Sequence, residues 1–225
     1  MIKAIIIDID NTLIDFHKSS YLAVQKAFIK HGLKFDDGVF QTFIKINDDL
    51  WIQVEKGNLD RPGLWAIRFQ KVLGALDIDY PEPDQVEKDF RSFLYDIAIP
   101  VDGAKDLLNY LKGKYKVYAG SNSLYNQQIN RLTLAGLLEY FDGIFVSEKI
   151  GCQKPSKEFF DACFENMNGV KQSEVVMIGD SITADIKGGY LYGLTTIWFD
   201  YKNTGKTCEY ANYTVNKLID IKGIL

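Results

Sequence analysis

The chain has 225 residues, 47% hydrophobic and 25% charged, the mixture of a soluble globular protein large enough to bury a core without disulfides or a structural metal. A net charge of −4 with no basic stripe excludes broad binding to a nucleic-acid polymer, yet leaves room for a small anionic ligand. Scattered Cys152, Cys163 and Cys208 exclude a disulfide framework and a thiolate zinc site, and point to a reducing cytoplasm.

The first element is Ala4–Ile7, a run of branched apolar residues that predicts a strand buried on both faces and hence a parallel sheet. It passes straight into acidic residues, which does not read as an export signal, and no later stretch reaches the roughly 18 apolar residues of a membrane span. Asp8 and Asp10 stand at its carboxyl end, where ligands gather in such sheets, with Thr12 just beyond. Strand alternation points both carboxylates to one side, where they repel each other. A stable protein then needs a compensating cation, a shared proton, or both.

From Leu13 to Pro100 only helical spacing occurs. Tyr21, Val24 and Phe28 run toward Gly32; Phe43, Leu50 and Val54 precede Gly57; Leu64, Ile67 and Leu73 precede Gly74. After Pro81 and Pro83, Val86, Phe90, Phe93, Leu94 and Ile97 give a fourth face. These predict an antiparallel four-helix insert after the first strand, placed to act as a lid. His17 and His31 read as ordinary helix residues.

Beyond Pro100, strands and helices alternate. Ala104, Leu107, Leu108 and Leu111 predict a helix stopping at Gly113, and Lys116–Ala119 a strand before Gly120-Ser121-Asn122. Ile129, Leu132 and Leu134 follow as a helix toward Gly136, then Ile144–Val146 as a strand before Ser147. Phe159, Phe160, Cys163 and Phe164 form the next helical face. Val175–Ile178 and Thr195–Phe199 are strands before Gly179-Asp180 and Asp200, and Tyr213–Val215 adds an edge. The alternation predicts an α/β fold, a doubly wound parallel sheet with right-handed crossovers, with the core at 1–14 and 100–225 and a helical domain at 15–99.

Three strand ends carry further chemistry. At Ser121-Asn122-Ser123 a hydroxyl and free backbone N–H groups at a helix start suit phosphate, or simply a helix cap. Lys154 follows the loop Ser147–Gln153, and Pro155 suits the first turn of a helix beginning near Ser156, which holds the ammonium near the acidic pair. Asp180 ends a strand expected to neighbour the first, with Asp185 a turn later; Asp8 and Asp180 are hard oxygen donors suited to Mg²⁺.

Asp8-x-Asp10-x-Thr12, Ser121, Lys154-Pro155 and Gly179-Asp180-Ser181 with Asp185 together resemble the four motifs of the haloacid dehalogenase-like hydrolase superfamily, phosphatase type, in the family's order. The resemblance implies a Rossmann-like core with a helical cap. It also implies Mg²⁺ held by Asp8, Asp180 and the backbone carbonyl of Asp10, with Asp185 slightly further out. Asp8 would attack the phosphorus of a phosphate ester, giving an aspartyl-phosphate. Asp10 would protonate the leaving oxygen and then activate water. Thr12, Ser121, Asn122 and Lys154 would hold the substrate and the site's charge. The dehalogenase branch lacks Asp10, so its presence argues for phosphoryl transfer.

Within the insert, Phe43 to Trp51 and the pair Arg68-Phe69 look like the bacterial pyrimidine 5′-nucleotidase branch. Ser121-Asn122-Ser123 departs from that branch, where threonine and glycine surround the asparagine, although the hydroxyl is kept. Phe16, Trp51, Trp65 and Phe69 are candidates to stack on a base or to pack the insert. The expected partner is a small phosphomonoester, with no nucleic-acid polymer and no membrane, for a cytoplasmic monomer or homodimer. Phosphatases of phosphoglycolate or a sugar phosphate, a phosphoglucomutase, and an inactive binding or regulatory protein on the same fold stay open.

Overall fold

In the computed structural model, which describes residues 1–225, Ala4–Ile7 forms strand β1, and every residue of it is fully buried. Ala4 and Ile6 pack with Phe159, Phe160 and Cys163. Ile5 and Ile7 point the other way by alternation and are equally buried, so the strand is covered on both faces. Lys116–Ser121 (β2), Gly143–Val146 (β3), Val175–Gly179 (β4), Thr195–Phe199 (β5) and Tyr213–Val215 (β6) complete the sheet. All pairings are parallel, in the order β3-β2-β1-β4-β5-β6. The doubly wound parallel sheet expected from the alternation is thus present. Its strand order runs outward one way from β1 and the other way from β4, so a crevice forms at the carboxyl ends of these two. Ile7 lies opposite Ala119 of β2 and Ile178 of β4. The residues that follow each of them, Asp8, Gly120 and Gly179, therefore come level.

The chain divides into two compact units, Met1–Asp15 with Ile99–Leu225, and Phe16–Ala98. In the first, Ala104–Leu111 (in chain order, α5), Tyr125–Leu134 (α6), Ser147–Ile150 (α7), Lys157–Glu165 (α8) and Gly188–Tyr192 (α9) follow the four helices of the second. A π-helical turn, Ile182–Lys187, leads into α9. Two backbone hydrogen bonds within the sheet unit, Asp15 N to Ile99 O at 2.8 Å and Val101 N to Leu13 O at 2.9 Å, tie the outgoing strand of chain to the returning one. Two local expectations need correction. The stretch read as a loop after β3 begins with the short helix α7. Ser156 is the N-cap of α8, accepting from Phe159 N, so Pro155 precedes the cap instead of sitting in the first turn; the Lys154–Pro155 peptide is cis.

The second unit comprises α1 (Phe16–Lys30), α2 (Asp37–Glu55), α3 (Arg61–Ala75) and α4 (Pro83–Tyr95). Asp36 and Asp60 cap α2 and α3 by accepting from Val39 N and Gly63 N. Its core is aromatic: the Phe43 and Phe69 rings lie 5.1 and 5.4 Å from that of Phe90. Phe69 is 1% exposed, so it packs this interior and is not available to stack on a base. Arg68 is buried with it, donating to both oxygens of Glu87 at 3.0 and 2.6 Å and to Asn47 at 2.9 Å, over the Phe90 ring. Trp51 and Trp65 are partly exposed, the latter under the Arg91 guanidinium. Gly74 lies inside α3, not beyond it. His31 follows α1 and bonds Tyr80 and Asp89, so it is not a helix residue. No helix is long and apolar enough to cross a membrane.

Candidate active site

The site grows from the end of β1. Asp8 N donates to Ile178 O at 2.9 Å, continuing the ladder one residue past the strand. The chain then folds back: Leu13 N and Ile14 N both donate to Ile9 O, and Asn11 N to Ile14 O at 2.7 Å. Asn11 has φ of 59°, a left-handed conformation that asparagine tolerates better than most residues. Thr12 is fully buried, its hydroxyl 3.5 Å from Asp180 Oδ1, at the outer limit of a hydrogen bond.

Lys154 is 1% exposed and its ammonium is fully engaged. Nζ donates to Asp8 Oδ1 at 2.7 Å, Asp185 Oδ1 at 2.6 Å and the Gly120 carbonyl at 2.6 Å, which uses all three of its donors. Its backbone is fixed by Asn122, whose carboxamide donates to Lys154 O and accepts from Lys154 N, both at 2.8 Å. Asn122 is therefore a clamp on the lysine loop, and that part of its side chain faces the loop.

Burial sets the charge state of this cluster. It pushes the Asp8 carboxyl up to about 7, against the lowering pull of Lys154, with Asp185 and Asp10 adding to the rise. Burial likewise raises Asp185 against Lys154. For Lys154, burial works against the ammonium, but Asp185 and Asp8 outweigh it and hold the group above the ordinary lysine value.

Asp8, Asp180 and Asp185 bring carboxylate oxygens within 4.8 Å of one another. Three hard oxygen donors with a single lysine between two of them leave negative charge in excess, and the set fits a divalent cation that prefers oxygen. Asp180 is held by its backbone, whose carbonyl accepts from Trp198 Nε1 at 2.9 Å. Asp185 accepts from Ser181 N at 3.1 Å, and Ser181 Oγ caps the π-helical turn at Ala184 N. The approach of Asp185 to Gly179 requires glycine there: a Cβ would run into the Asp185 carboxylate.

Asp10 turns elsewhere. Arg131 Nη1 donates to its Oδ1, and Gln128 Nε2 donates to its Oδ2 at 2.6 Å. The same Gln128 nitrogen donates to Ser121 Oγ at 2.8 Å. Asp8, Thr12, Lys154, Asp180 and Asp185 thus meet in one cluster, and Asp10 and Ser121 are joined through Gln128. Neither Gln128 nor Arg131 was expected from the sequence. The helical face read there was Ile129, Leu132 and Leu134, whereas α6 buries Gln128, Arg131 and Leu132 and leaves Leu134 54% exposed. The available signal was the polar pair at i and i+3 inside the helix that follows the phosphate-type loop.

The profile of the haloacid dehalogenase-like hydrolase family matches residues 2–190. Over 99% of its length the chain is 32% identical to YfnB of Bacillus subtilis, named as a HAD-hydrolase, covering 95% of that protein. It is 31% identical to the pyrimidine 5′-nucleotidase YjjG of Escherichia coli, over 98% of this chain and 96% of that one. The pyrimidine 5′-nucleotidase PynA of Streptococcus pneumoniae is 28% identical over 97% and 94% of the two chains. A crystal structure of YfnB bound to magnesium superposes with a TM-score of 0.93 at 31% identity, covering 100% of this chain and 98% of that one.

Proposed function

The chain belongs to the haloacid dehalogenase-like hydrolase family, and on that premise we propose that it is a Mg²⁺-dependent phosphomonoesterase working through an aspartyl-phosphate, with nucleoside 5′-monophosphates as substrates. The observation that carries the reading is Asp8, buried beside Lys154 and two further carboxylates, with a second acid, Asp10, bound instead by Gln128 and Arg131 of α6. A binding module has no use for that division between one carboxylate in the charged cluster and another outside it.

Asp8 and Asp180 would hold the cation with the Asp10 carbonyl, and Asp185 would steady them. When bound, Mg²⁺ offsets the repulsion among the carboxylates and the charge on the phosphoryl oxygens. An Asp8 oxygen forms a bond to phosphorus as the ester P–O bond breaks, and Asp10 gives its proton to the departing oxygen. Asp10 then takes a proton from water, whose oxygen bonds to phosphorus and releases phosphate and the free Asp8 carboxylate. Lys154 and Ser121 stabilise the charge on the transferring group. Nucleotides are favoured by the two pyrimidine 5′-nucleotidases among the relatives, and Mg²⁺ by the magnesium-bound YfnB crystal.

Phosphate release from 4-nitrophenyl phosphate, with and without Mg²⁺, tests the chemistry. Pyrimidine and purine 5′-monophosphates set against sugar phosphates test the substrate. Absence of Mg²⁺-dependent release refutes the chemistry; equal rates across the panel refute the nucleotide preference alone.

A further inference from the structure

A helix that turns polar groups inward carries a cost that needs a reason. Gln128 and Arg131 stand at i and i+3 on α6, hence on one face, and both are wholly buried. An arginine is almost never fully buried unless paired, and its partner here is the carboxylate of Asp10. Gln128 supplies the second donor, while its own Oε1 has no hydrogen-bond partner. Leaving a buried amide oxygen unsatisfied is unfavourable, so the carboxamide is oriented for what its nitrogen does.

That nitrogen bridges Asp10 and Ser121, at 2.6 and 2.8 Å. Each oxygen of Asp10 therefore receives one donor from α6. A carboxylate oxygen has two lone-pair directions, so one on each oxygen remains open. Asp10 keeps 29% of its side chain exposed, so the carboxylate is reachable although α6 holds it.

We propose that Arg131 and Gln128 are positioning residues that aim Asp10 at the leaving-group oxygen and hold it in register with Ser121. The inference rests on the phosphomonoesterase reading and deepens it. Neither residue touches substrate. Their effect passes through Asp10 and is felt where the leaving oxygen needs a proton, as an alkoxide does and 4-nitrophenolate does not.

The test compares Arg131→Met and Gln128→Leu with the wild type on 4-nitrophenyl phosphate and on an alkyl phosphate. Turnover of the alkyl ester is expected to fall by about 100-fold or more for Arg131→Met, at least tenfold further than turnover of the aryl ester. Gln128→Leu moves in the same direction, Arg131→Lys recovers part of the loss, and circular dichroism checks the fold. In an Asp10→Asn background, adding Arg131→Met should change alkyl-ester turnover by less than about threefold, since a residue acting through Asp10 has nothing left to act on. Equal losses on both esters, or losses that multiply in the double variant, overturn the proposal. If Arg131→Met does not fold, the Gln128→Leu comparison decides in the same way. A wild type inactive on both esters would instead sink the phosphomonoesterase reading, and this inference with it.

Discussion

The ammonium of Lys154 lies 2.7 Å from Asp8 Oδ1 and 2.6 Å from Asp185 Oδ1, so one buried cation compensates two buried carboxylates from different strand ends. Removing one partner of such a cluster leaves uncompensated charge, which costs more than the pair itself contributes. Lys154→Met is expected to lose about 3–5 kcal/mol of stability. Millimolar Mg²⁺ should recover part of the loss, because a divalent cation can take over the compensation. Urea denaturation with and without Mg²⁺ measures both; an unchanged midpoint in its absence contradicts the assignment.

Asp8 also sets a pH dependence. Its carboxyl is raised from 3.8 to about 7, so between these values the folded protein holds a proton that the unfolded chain has released. Metal-free stability should therefore fall as pH rises through this window. A cation at Asp8 must displace the proton, so Mg²⁺ should bind more weakly as pH drops below about 7 and release protons as it binds. Calorimetric titration at pH 6 and 8 in buffers of different ionisation enthalpy reads the protons directly. No proton release at pH 6 would exclude Asp8 from the ligand set.

Gly179→Ala places a methyl group in the Asp185 carboxylate. The carboxylate has to swing away, carrying with it its bonds to Lys154 and Ser181 N. Disturbing such a supporting residue is expected to lower metal affinity or activity by about 10- to 100-fold. The variant should fold, since the rest of β4 is untouched. Activity within twofold of wild type would mean that Asp185 has no part in holding the site.

Glu87→Gln addresses the second unit. It removes the charge that Arg68 meets in the interior, where both residues are about 95% or more buried. Stability should drop by about 2–4 kcal/mol, while relative rates among substrates stay as in the wild type, because Arg68 is spent on Glu87 and Asn47. A shift in substrate preference without loss of stability would place this pair in substrate selection.

The inner strands were legible because each is a short apolar run closed by small or polar residues; the edge strand Tyr213–Val215, exposed at two of its three positions, shows only as a brief extended piece. Asp8 and Asp180 were legible for a related reason, since each directly follows one of two neighbouring strands. Lys154, beyond α7, and Asp185, in the π-helical turn, were legible through the order of the four motifs. Gln128 and Arg131 were not. Helical periodicity identifies buried positions through their apolar residues, and α6 reverses the rule by burying its polar face against Asp10. Arg68 was visible but its role was not, since sequence does not reveal that its partner is Glu87, across α3 and α4. The extent of α7 and the π-helical turn at Ile182–Lys187 depend on a few hydrogen bonds that no spacing announces.

The hydrogen bonds from Asp15 N to Ile99 O and from Val101 N to Leu13 O close the sheet unit before the chain departs from it. What lies between, 16–98, contributes none of the groups at 8–12, 121–131, 154 and 180–185. An exchange of that intervening segment would leave every one of these side chains, and the hydrogen bonds among them, inside one unit.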